Sequence, residues 1–347
     1  MSKYVLNETP IRTSRNFNIN SITIKDFEVP NSFNEFKNVT YTTGLNLKNS
    51  KDLPIFKYSL GIENYVLYNL NKNILLTIDK DVDGSVIDFN FDEENVNLAS
   101  LVKIVVKENV KASIILRFDS KIDKKFFASI FANIVLERGA YLSITIINFL
   151  NDKSDFLELL ECTLLENAEI DIKKVNLGAK NRVSNIYVNL LEEGSKSNIS
   201  EIYIGKNEEI IDLNYICDLV GKKSLSNIDV EGALLDNATK HFKGTLDFKK
   251  GAVNAKGNEE EFCYLLSDKA KSVALPILLC SEEDVEGNHA SASGKVDEKQ
   301  LFYLMSRGFS YKDALKIIVK AKFNIVLSQM DENVKDEIIE RIDNILD

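Results

Sequence analysis

The sequence predicts a mainly β protein. Its core would be a right-handed parallel β-helix, or β-solenoid, with an irregular N-terminal region before it and a C-terminal helical cap after it. Residues 96–290 carry short runs that alternate apolar and polar side chains, which is typical of strands. One corner pattern recurs between these runs at a regular spacing. Residues 291–347 place apolar side chains at helical spacing instead, so we divide the chain into 1–95, 96–290 and 291–347.

The corner pattern is the strongest evidence for a solenoid. Each corner is an apolar residue, two variable residues, then Gly, Asn or Lys before a small residue, and successive corners begin 28, 27, 29, 14, 14 and 18 residues apart. A solenoid keeps such a period because every coil turns at the same place to stack on the previous one. Gly or Asn in the fourth position suits a positive φ, and the small residue lets corners pack closely. The corners are LERGA (136–140), LLENA (164–168), LEEGS (191–195), VGKKS (220–224), LLDNA (234–238), FKKGA (248–252) and LSDKA (266–270).

An antiparallel sandwich with coincidental turn spacing is the alternative that the pattern alone leaves open. Long helices are missing from this stretch, and the strands follow one another too closely for βαβ crossovers. Seven corners in register favour the solenoid. Residues 1–95 mix short apolar segments with polar turns, so we expect an irregular α+β region there.

The C-terminal end reads as three helices. Asp297 is placed to cap the first, with Gly308 just past its end. Ser310 and Asp313 form a capping box for the second, and the third is expected over 331–346. We expect this cap to close the open end of the solenoid and hide an exposed strand edge. The apolar stripes are Ala314, Leu315, Ile318, Val319, Phe323 and Val326 on the second helix, and Val334, Ile338, Ile342 and Ile345 on the third.

Bulk properties exclude several classes of protein. The net charge is −10 and the pI about 5.0, with no cluster of basic and aromatic residues, so nucleic acid is not an expected partner. The N-terminus lacks the apolar segment of a secretory signal, and no window is apolar enough to span a bilayer. We therefore expect a cytoplasmic protein with no membrane contact.

The sequence gives no sign of an enzyme. It has no GxxxxGK[ST] nucleotide-binding run, no GxSxG and no GxGxxG. Its four cysteines have neither CxxC spacing nor a paired histidine, so we expect buried reduced thiols and no structural zinc. These cysteines are Cys162, Cys217, Cys263 and Cys280.

His289 is the sharpest candidate for a functional residue. It is one of two histidines and lies on a turn flanked by glycines, and a neutral imidazole is a good ligand for iron or zinc. A lone histidine without spaced partners is more often structural. The acidic run before it, residues 282–286, is typical of a solvated surface, so both interpretations of His289 stay open.

Two segments carry a family resemblance. From Pro276 to Gly308 the chain reads PILLCSEEDVEGNHASASGKVDEKQLFYLMSRG, and from Asn7 to Arg15 it reads NETPIRTSR. The first resembles the C-terminal signature of the SufB/SufD family, the scaffold proteins of the SUF iron–sulfur cluster assembly machinery. The second is similar to the N-x-x-P-x-R-T-x-R opening common in that family.

The resemblance implies a role for His289. In the family's heterodimers, a histidine at this place lies at the subunit interface and takes part in forming the nascent cluster. SufD proteins often have Cys two residues before it and Gly directly after it, where this chain has Gly287 and Ala290. SufB carries an essential upstream Cys where this chain has Glu261. Cys263, two residues on and on the same face of a strand, is the one local thiol that could replace it.

The resemblance also implies a docking site on the C-terminal helices for SufC, an ABC-type ATPase. Phe302, Tyr303 and Arg307 lie in that region, and the alternative role of these apolar faces is to pack the cap against the solenoid. Lys312 and Lys316, with Lys320 and Lys322, would suit docking against acidic residues.

Together these observations predict a SufD-like, non-catalytic scaffold subunit that pairs with a SufB-like subunit and SufC. The iron–sulfur cluster would be transient, so the isolated chain need hold none. One alternative is a homodimer that serves both scaffold roles with SufC. Another is a carbohydrate-active β-helix protein using carboxylates such as Asp284 and Glu286.

Overall fold

Two facing β-sheets form the core of the molecule. The computed structural model describes residues 4–13, 19–25, 27–42, 47–48 and 52–347. The strands are β1 (Val39–Tyr41), β2 (Leu47–Lys48), β3 (Lys72–Ile78), β4 (Val82–Phe91), β5 (Leu98–Val106), β6 (Lys111–Ser120), β7 (Phe127–Leu136), β8 (Tyr141–Phe149), β9 (Asp155–Leu164), β10 (Glu169–Asn176), β11 (Asn181–Leu190), β12 (Lys196–Gly205), β13 (Ile210–Leu219), β14 (Leu225–Leu234), β15 (Thr239–Phe248), β16 (Ala255–Leu265), β17 (Lys271–Cys280) and β18 (Val285–Gly294). The helices are α1 (Glu63–Tyr68), α2 (Glu298–Ser306), α3 (Tyr311–Leu327) and α4 (Glu332–Leu346).

Consecutive strands alternate between the two sheets. Sheet A has the order β1-β4-β6-β8-β10-β12-β14-β16-β18, and sheet B has the order β17-β15-β13-β11-β9-β7-β5-β3-β2. From β3 onwards every pairing within a sheet is parallel. Each coil therefore contributes one strand to each sheet, and β3 to β18 make about eight coils. The predicted β-solenoid is confirmed.

The core lies between the sheets, where inward side chains stack in rows. Leu142, Ile170, Ser197 and Ser226 belong to one such row because their Cα atoms are partners from strand to strand. Most rows are aliphatic or aromatic and fully buried, as expected for a sheet whose inner face never meets water. Each position thus keeps its inward or outward orientation from coil to coil, whereas its side chain changes from apolar to polar along this row.

All seven predicted corners are turns between strands. In five of them the fourth residue has a positive φ, between 54° and 99°. At 234–238 the positive φ of 48° falls on Asp236 instead, and none occurs at 266–270. These two corners run from sheet A to sheet B, on the other side of the coil, where Asn207 also takes a positive φ two residues after its strand. The two sides therefore turn with different geometry. The five residues are Gly139, Asn167, Gly194, Lys223 and Gly251.

The two ends of the solenoid differ. At the N-terminal end, β1 pairs antiparallel with β4 and β2 pairs antiparallel with β3. At the C-terminal end, β17 and β18 are the last strands of their sheets and pair on one side only. A strand edge without a partner exposes its N–H and C=O groups.

The three C-terminal helices begin and end as predicted. Asp297 caps α2 by accepting a 2.8 Å hydrogen bond from the Lys299 N–H. The Ser310 hydroxyl accepts from the Asp313 N–H at 3.1 Å at the start of α3, and α4 starts after Asp331. The positive φ of Gly308, 99°, ends the α2 segment. Among the described helices none is long and apolar enough to cross a membrane.

The helical cap lies on the outer face of sheet A. Its apolar stripes bury Ile318, Phe323 and Ile338 against outward side chains of sheet A such as Ile202 and Val175. The prediction that the cap hides the terminal strand edge is wrong, because β17 and β18 keep their outer edges open. The outer face of sheet A carries enough apolar side chains to hold the helices there instead. On the other side, the N-terminal segment covers the outer face of sheet B.

Candidate functional site

The open end of the solenoid presents His289. The turn predicted around it is wrong, because His289 lies in the middle of β18, where it is exposed, as are the residues from Glu286 to Ser293. The Cα atom of His289 is the partner of Glu259 on β16. Side chains in register on parallel strands share a face of the sheet, and Ile228, the next residue in this row, belongs to the core. His289 therefore stands at the end of an inward-facing row.

Glu259 is a buried carboxyl group without a partner. It is 1% exposed, and neither of its oxygens has a hydrogen-bond partner among the described residues. Burial raises its pKa to about 8, and the nearby charge of Glu261 acts in the same direction. The carboxylate lies against Gly244 on β15, where a Cβ would meet its Cδ at 2.3 Å. The glycine leaves room in the solenoid interior for this acid.

The neighbouring inward carboxylate has partners on both sides. Glu261 is paired with Lys240 inside the solenoid, and the two side chains have no solvent exposure. Ser291 on β18 donates its hydroxyl to the other oxygen of Glu261 at 2.8 Å. Cys263, one further inward position along β16, is fully buried, and this burial raises the pKa of its thiol. A buried thiol with a raised pKa is a poor source of thiolate.

A deeper polar cluster went unpredicted from the sequence. Lys174 lies 2.8 Å from a Glu158 oxygen and 3.5 Å from a Glu201 oxygen. It also donates to the hydroxyls of Ser184 at 2.8 Å and Tyr215 at 3.0 Å. Burial raises the pKa of Glu158. The sequence does show charged residues at inward positions of otherwise alternating strands. It does not show which of these residues contact one another, because that depends on how the coils stack.

The cysteines differ from their expected burial in one case. Cys162, Cys217 and Cys263 are buried, as predicted, whereas Cys280 is exposed. The prediction fails at Cys280 because it ends β17, a strand that no further coil covers. All four thiols are free, and within the described part of the chain no cluster of three or more His, Cys, Asp or Glu side chains is arranged to hold a metal ion.

The N-terminal motif docks on the outer face of sheet B. Asn7 has a positive φ of 56° and no solvent exposure. Its Nδ2 donates to the Ser184 carbonyl at 3.0 Å and to Asp212 Oδ1 at 2.6 Å. Lys243 Nζ donates to the same Asp212 oxygen at 2.7 Å and to the Asn7 carbonyl at 2.9 Å. Asn7 therefore ties the motif to three adjacent strands.

The rest of that motif is only partly described. Arg12 forms an exposed ion pair with Glu8 at 3.0 Å, while Ser14 and Arg15 lie outside the described residues. The second histidine, His241, belongs to the same outer face, with Nδ1 at 3.6 Å from Asp212. Burial lowers its pKa, which favours the neutral imidazole in the folded chain.

The α2 helix carries an exposed aromatic surface. Phe302 is 75% exposed and Tyr303 57% exposed, and the Arg307 guanidinium lies 5.3 Å from the Tyr303 ring centroid. The expected packing role therefore does not apply to these two aromatic side chains, because only Leu301 of α2 is buried. We call Phe302, Tyr303, Met305 and Arg307, with the exposed Phe309 and Tyr311, the α2 surface.

The lysines of α3 make contacts within the chain. Lys316 pairs with Asp347 at 2.6 Å, and Lys312 donates to the backbone carbonyl of Asp347. The other two pair with Asp343 and Glu231, at 2.7 Å and 3.2 Å. These lysines tie α3 to α4 and to sheet A. They are Lys312, Lys316, Lys320 and Lys322.

The carboxylates of the carbohydrate-active alternative do not form a site. Both oxygens of Glu286 accept from Lys256 at 2.9 Å. Asp284 lies in the turn before β18 and uses its backbone carbonyl to accept from Asn254 at 2.7 Å. A pair of carboxylates facing one another across a cleft, as glycoside hydrolysis needs, is not formed by these two residues.

The chain is similar to known proteins over part of its length. It is 36% identical to the iron–sulfur cluster assembly protein SufD of Bacillus subtilis over 124 residues, covering 35% of this chain and 28% of that protein. It is 32% identical to an iron–sulfur cluster assembly SufBD family protein of Pyrococcus horikoshii over 155 residues, covering 44% and 34%. SufD of Escherichia coli matches at 30% over 103 residues, covering 29% and 24%. The matches span about a quarter to a third of these relatives.

A family model matches much more of the chain. The model of the SUF system FeS cluster assembly, SufBD core domain, matches residues 89–322. That segment holds β5 to β18 and the open end with His289, together with α2 and most of α3. The family resemblance of the motif at 276–308 is thereby confirmed, whereas the motif at 7–15 lies outside the matched segment. The chain belongs to the SufBD core family of the SUF iron–sulfur cluster assembly system.

Proposed function

We propose that this chain is a SufD-like scaffold subunit of the SUF system. It would act in the cytoplasm, without catalytic activity of its own, alongside a SufB-like subunit and a SufC ATPase. A transient iron–sulfur cluster would be its cargo. The observation that carries this proposal is the placement of His289 on a terminal strand with one open edge, in a chain of the SufBD core family.

The open end is suited to be the subunit interface. The outer edges of β17 and β18 carry unpaired backbone groups, and such edges associate with strands of another chain. The exposed side chains of β18 around His289 are small, namely Ala290, Ser291, Ala292 and Ser293. Small side chains let a second backbone approach closely. A SufB-like subunit docked here would contribute its own ligands beside His289.

The α2 surface is suited to receive the ATPase. Its aromatic side chains are exposed to water. A partner that covered them would bury this apolar surface, which favours binding. Nucleotide-driven SufC dimerisation would pull on residues 297–328 and change the interface at the open end. The helices transmit such a force because α3 packs on the outer face of sheet A. His289 and a partner cysteine would then be exposed to iron and sulfide.

A homodimeric scaffold is the second candidate. A second copy of the chain could pair its own β17 and β18 edges with these, since both are open. It would lack an upstream thiol, because Glu261 occupies the position where SufB carries its essential Cys and Cys263 is buried. The single-chain scaffold therefore has fewer sulfur ligands than a heterodimer.

Anaerobic co-purification tests these candidates. The tagged chain would be isolated from its native host, and subunit masses, iron and sulfide would be determined. An ATPase and a larger homologous scaffold recovered with iron and sulfide would support the SufD-like role. Two copies of the chain with the ATPase alone would support the homodimer. A lone, metal-free chain would contradict both proposals and leave the fold and family unchanged.

A further inference from the structure

We propose that Glu259 is a second iron ligand of this scaffold, which binds ferrous iron together with His289 at the open end of the solenoid. The inference deepens the proposed function and rests on it only for the identity of the metal. Nothing in the two family motifs points to Glu259. The observations that do are its burial, its register with His289 and the lack of any partner for its oxygens.

The register of β16 and β18 brings the two side chains together. Glu259 and His289 are Cα partners on adjacent parallel strands, and such strands lie about 4.8 Å apart. Both side chains project from the same face. A ligating carboxylate oxygen and a ligating imidazole nitrogen each lie about 2 Å from a metal such as zinc, and ferrous iron is of similar size. One ion between the two strands therefore brings both groups within reach.

A bound cation would stabilise the Glu259 carboxylate, because this group is buried without a described partner. A buried carboxylate with no hydrogen bond or ion pair is strongly disfavoured. The interior lysine Lys240 is already paired with Glu261, and no described side chain donates to either Glu259 oxygen. A proton can neutralise the acid in the free chain. A metal ion that enters from the open end can displace that proton and occupy both oxygens.

The contrast with Glu261 makes the assignment specific. Glu261 is equally buried on the same strand, but Lys240 and Ser291 occupy its two oxygens. Gly244 leaves space against the Glu259 carboxylate that any larger side chain would fill. Of the two inward carboxylates next to β18, only Glu259 combines oxygens that lack a described hydrogen-bond partner with a position in the row that ends at His289.

The ligand types select the metal. An imidazole and a carboxylate suit ferrous iron and its divalent neighbours, whereas soft metals prefer thiolates. The interior thiols Cys217 and Cys263 are both buried, and burial raises the pKa of each. Two protein ligands leave the other coordination positions of the ion to water, sulfide or a partner's groups. Such a site would take up iron through the open end whenever β18 is not covered by a docked partner.

Anaerobic metal titration of the full isolated chain tests this inference. Fe²⁺ binding would be followed by calorimetry, and Co²⁺ binding by its visible absorption, in the wild type, E259Q and H289A. Glu260→Gln is the matched control, because Glu260 adjoins Glu259 but lies on the outer face of sheet A. We expect one ion per wild-type chain, about a hundredfold weaker binding in E259Q and in H289A, and wild-type affinity in E260Q.

Two further readouts separate this inference from the proposed function. Unfolding curves check that E259Q is folded, and E259Q should be at least as stable as the wild type because it loses an unpaired acid. Wild-type metal affinity in a folded E259Q, or no metal binding by the wild type, overturns the inference. The proposed function is judged separately by whether the wild-type chain co-purifies with the larger scaffold and the ATPase. Loss of those partners from the wild type would reject the function and leave the metal titration valid.

Discussion

Asn7 Nδ2 donates a 2.6 Å hydrogen bond to Asp212 Oδ1, across 205 residues of sequence. The Asn7 side chain also accepts from Asn185 Nδ2 at 2.9 Å. The N-terminal motif is therefore part of the structure of sheet B, since its asparagine supplies hydrogen bonds that the buried outward groups of three strands need. Substitutions at Asn7 should act on the stability of the solenoid although the residue lies outside it.

We predict that Asn7→Ala lowers the free energy of unfolding by about 2–4 kcal/mol. The loss combines unpaired buried groups around Asp212, about 1–3 kcal/mol, with about 1 kcal/mol because alanine lacks the polar side chain by which asparagine tolerates a positive φ. Asn7→Gly keeps the backbone conformation and should lose only the first part. Urea unfolding of both variants measures the difference. Asn288→Ala, an exposed control on β18, should change stability by less than about 0.5 kcal/mol, and equal losses in N7A and N7G would contradict the backbone argument.

A second prediction concerns the space that Gly244 leaves for Glu259. A Cβ at position 244 would lie 2.5 Å from each carboxylate oxygen of Glu259, so Gly244→Ala should destabilise the chain by about 1–3 kcal/mol. Glu259→Ala removes the clashing atoms. The double variant should therefore be more stable than the sum of the two single effects, with a coupling of about 1 kcal/mol or more in a double-mutant cycle. Strictly additive effects would show that the two residues do not share that space.

The stability of the chain should depend on pH through Glu259. Burial raises its folded pKa to about 8, above the unfolded value, so the folded chain keeps a proton that the unfolded chain releases. This contribution to stability is fully present below the unfolded pKa and is lost as pH rises through the folded pKa. With EDTA present, the free energy of unfolding should fall by about 1.4 kcal/mol per pH unit from this group up to pH 8. E259Q should show a shallower decline from pH 6 to 8, and identical slopes would contradict the burial argument.

Local features of the fold were predictable because they repeat. The corners, the alternation and the helix caps are each encoded within a few residues, and Asp297 and Ser310 cap the helices that the sequence predicts. Contacts between distant segments were not predictable. The docking of Asn7 on Asp212 and the meeting of Lys174 with Glu201 depend on the stacking of separate coils, and sequence spacing does not report that stacking.

The candidate site likewise combines a residue that the sequence predicts with one that it does not. His289 stood out by its rarity and its motif, whereas Glu259 lies in a run of three glutamates that resembles a solvated surface. Only the strand pairing shows that Glu259 and Glu261 face inward and Glu260 outward. The position of the cap was not predictable for the same reason. The apolar stripe on α3 indicates that the helix packs against something, but it does not indicate which face of the solenoid it contacts.

For the proposed role, we predict that His289→Ala abolishes cluster formation in the assembled complex and leaves the fold intact. His289 is exposed, so its loss costs little stability. Iron and sulfide retained after anaerobic reconstitution measure the effect. His241→Ala is the matched control, because His241 is the other histidine and lies on the outer face of sheet B, near Asp212. Equal cluster yields from wild type and H289A would reject the assignment of His289.

The α2 surface gives a final prediction, about the ATPase. The double variant F302A/Y303A should keep wild-type stability, because both side chains are exposed and Ala is a good helix former. It should lose affinity for the ATPase by about tenfold or more, since exposed aromatic residues often dominate interface energies. Pull-down with the purified ATPase and a melting curve of each variant measure the two effects. Tyr68→Ala, at 89% exposure on α1, is the control for loss of an exposed aromatic elsewhere. Undiminished ATPase binding by F302A/Y303A would place the docking site outside the α2 surface, because no other change separates that variant from the wild type.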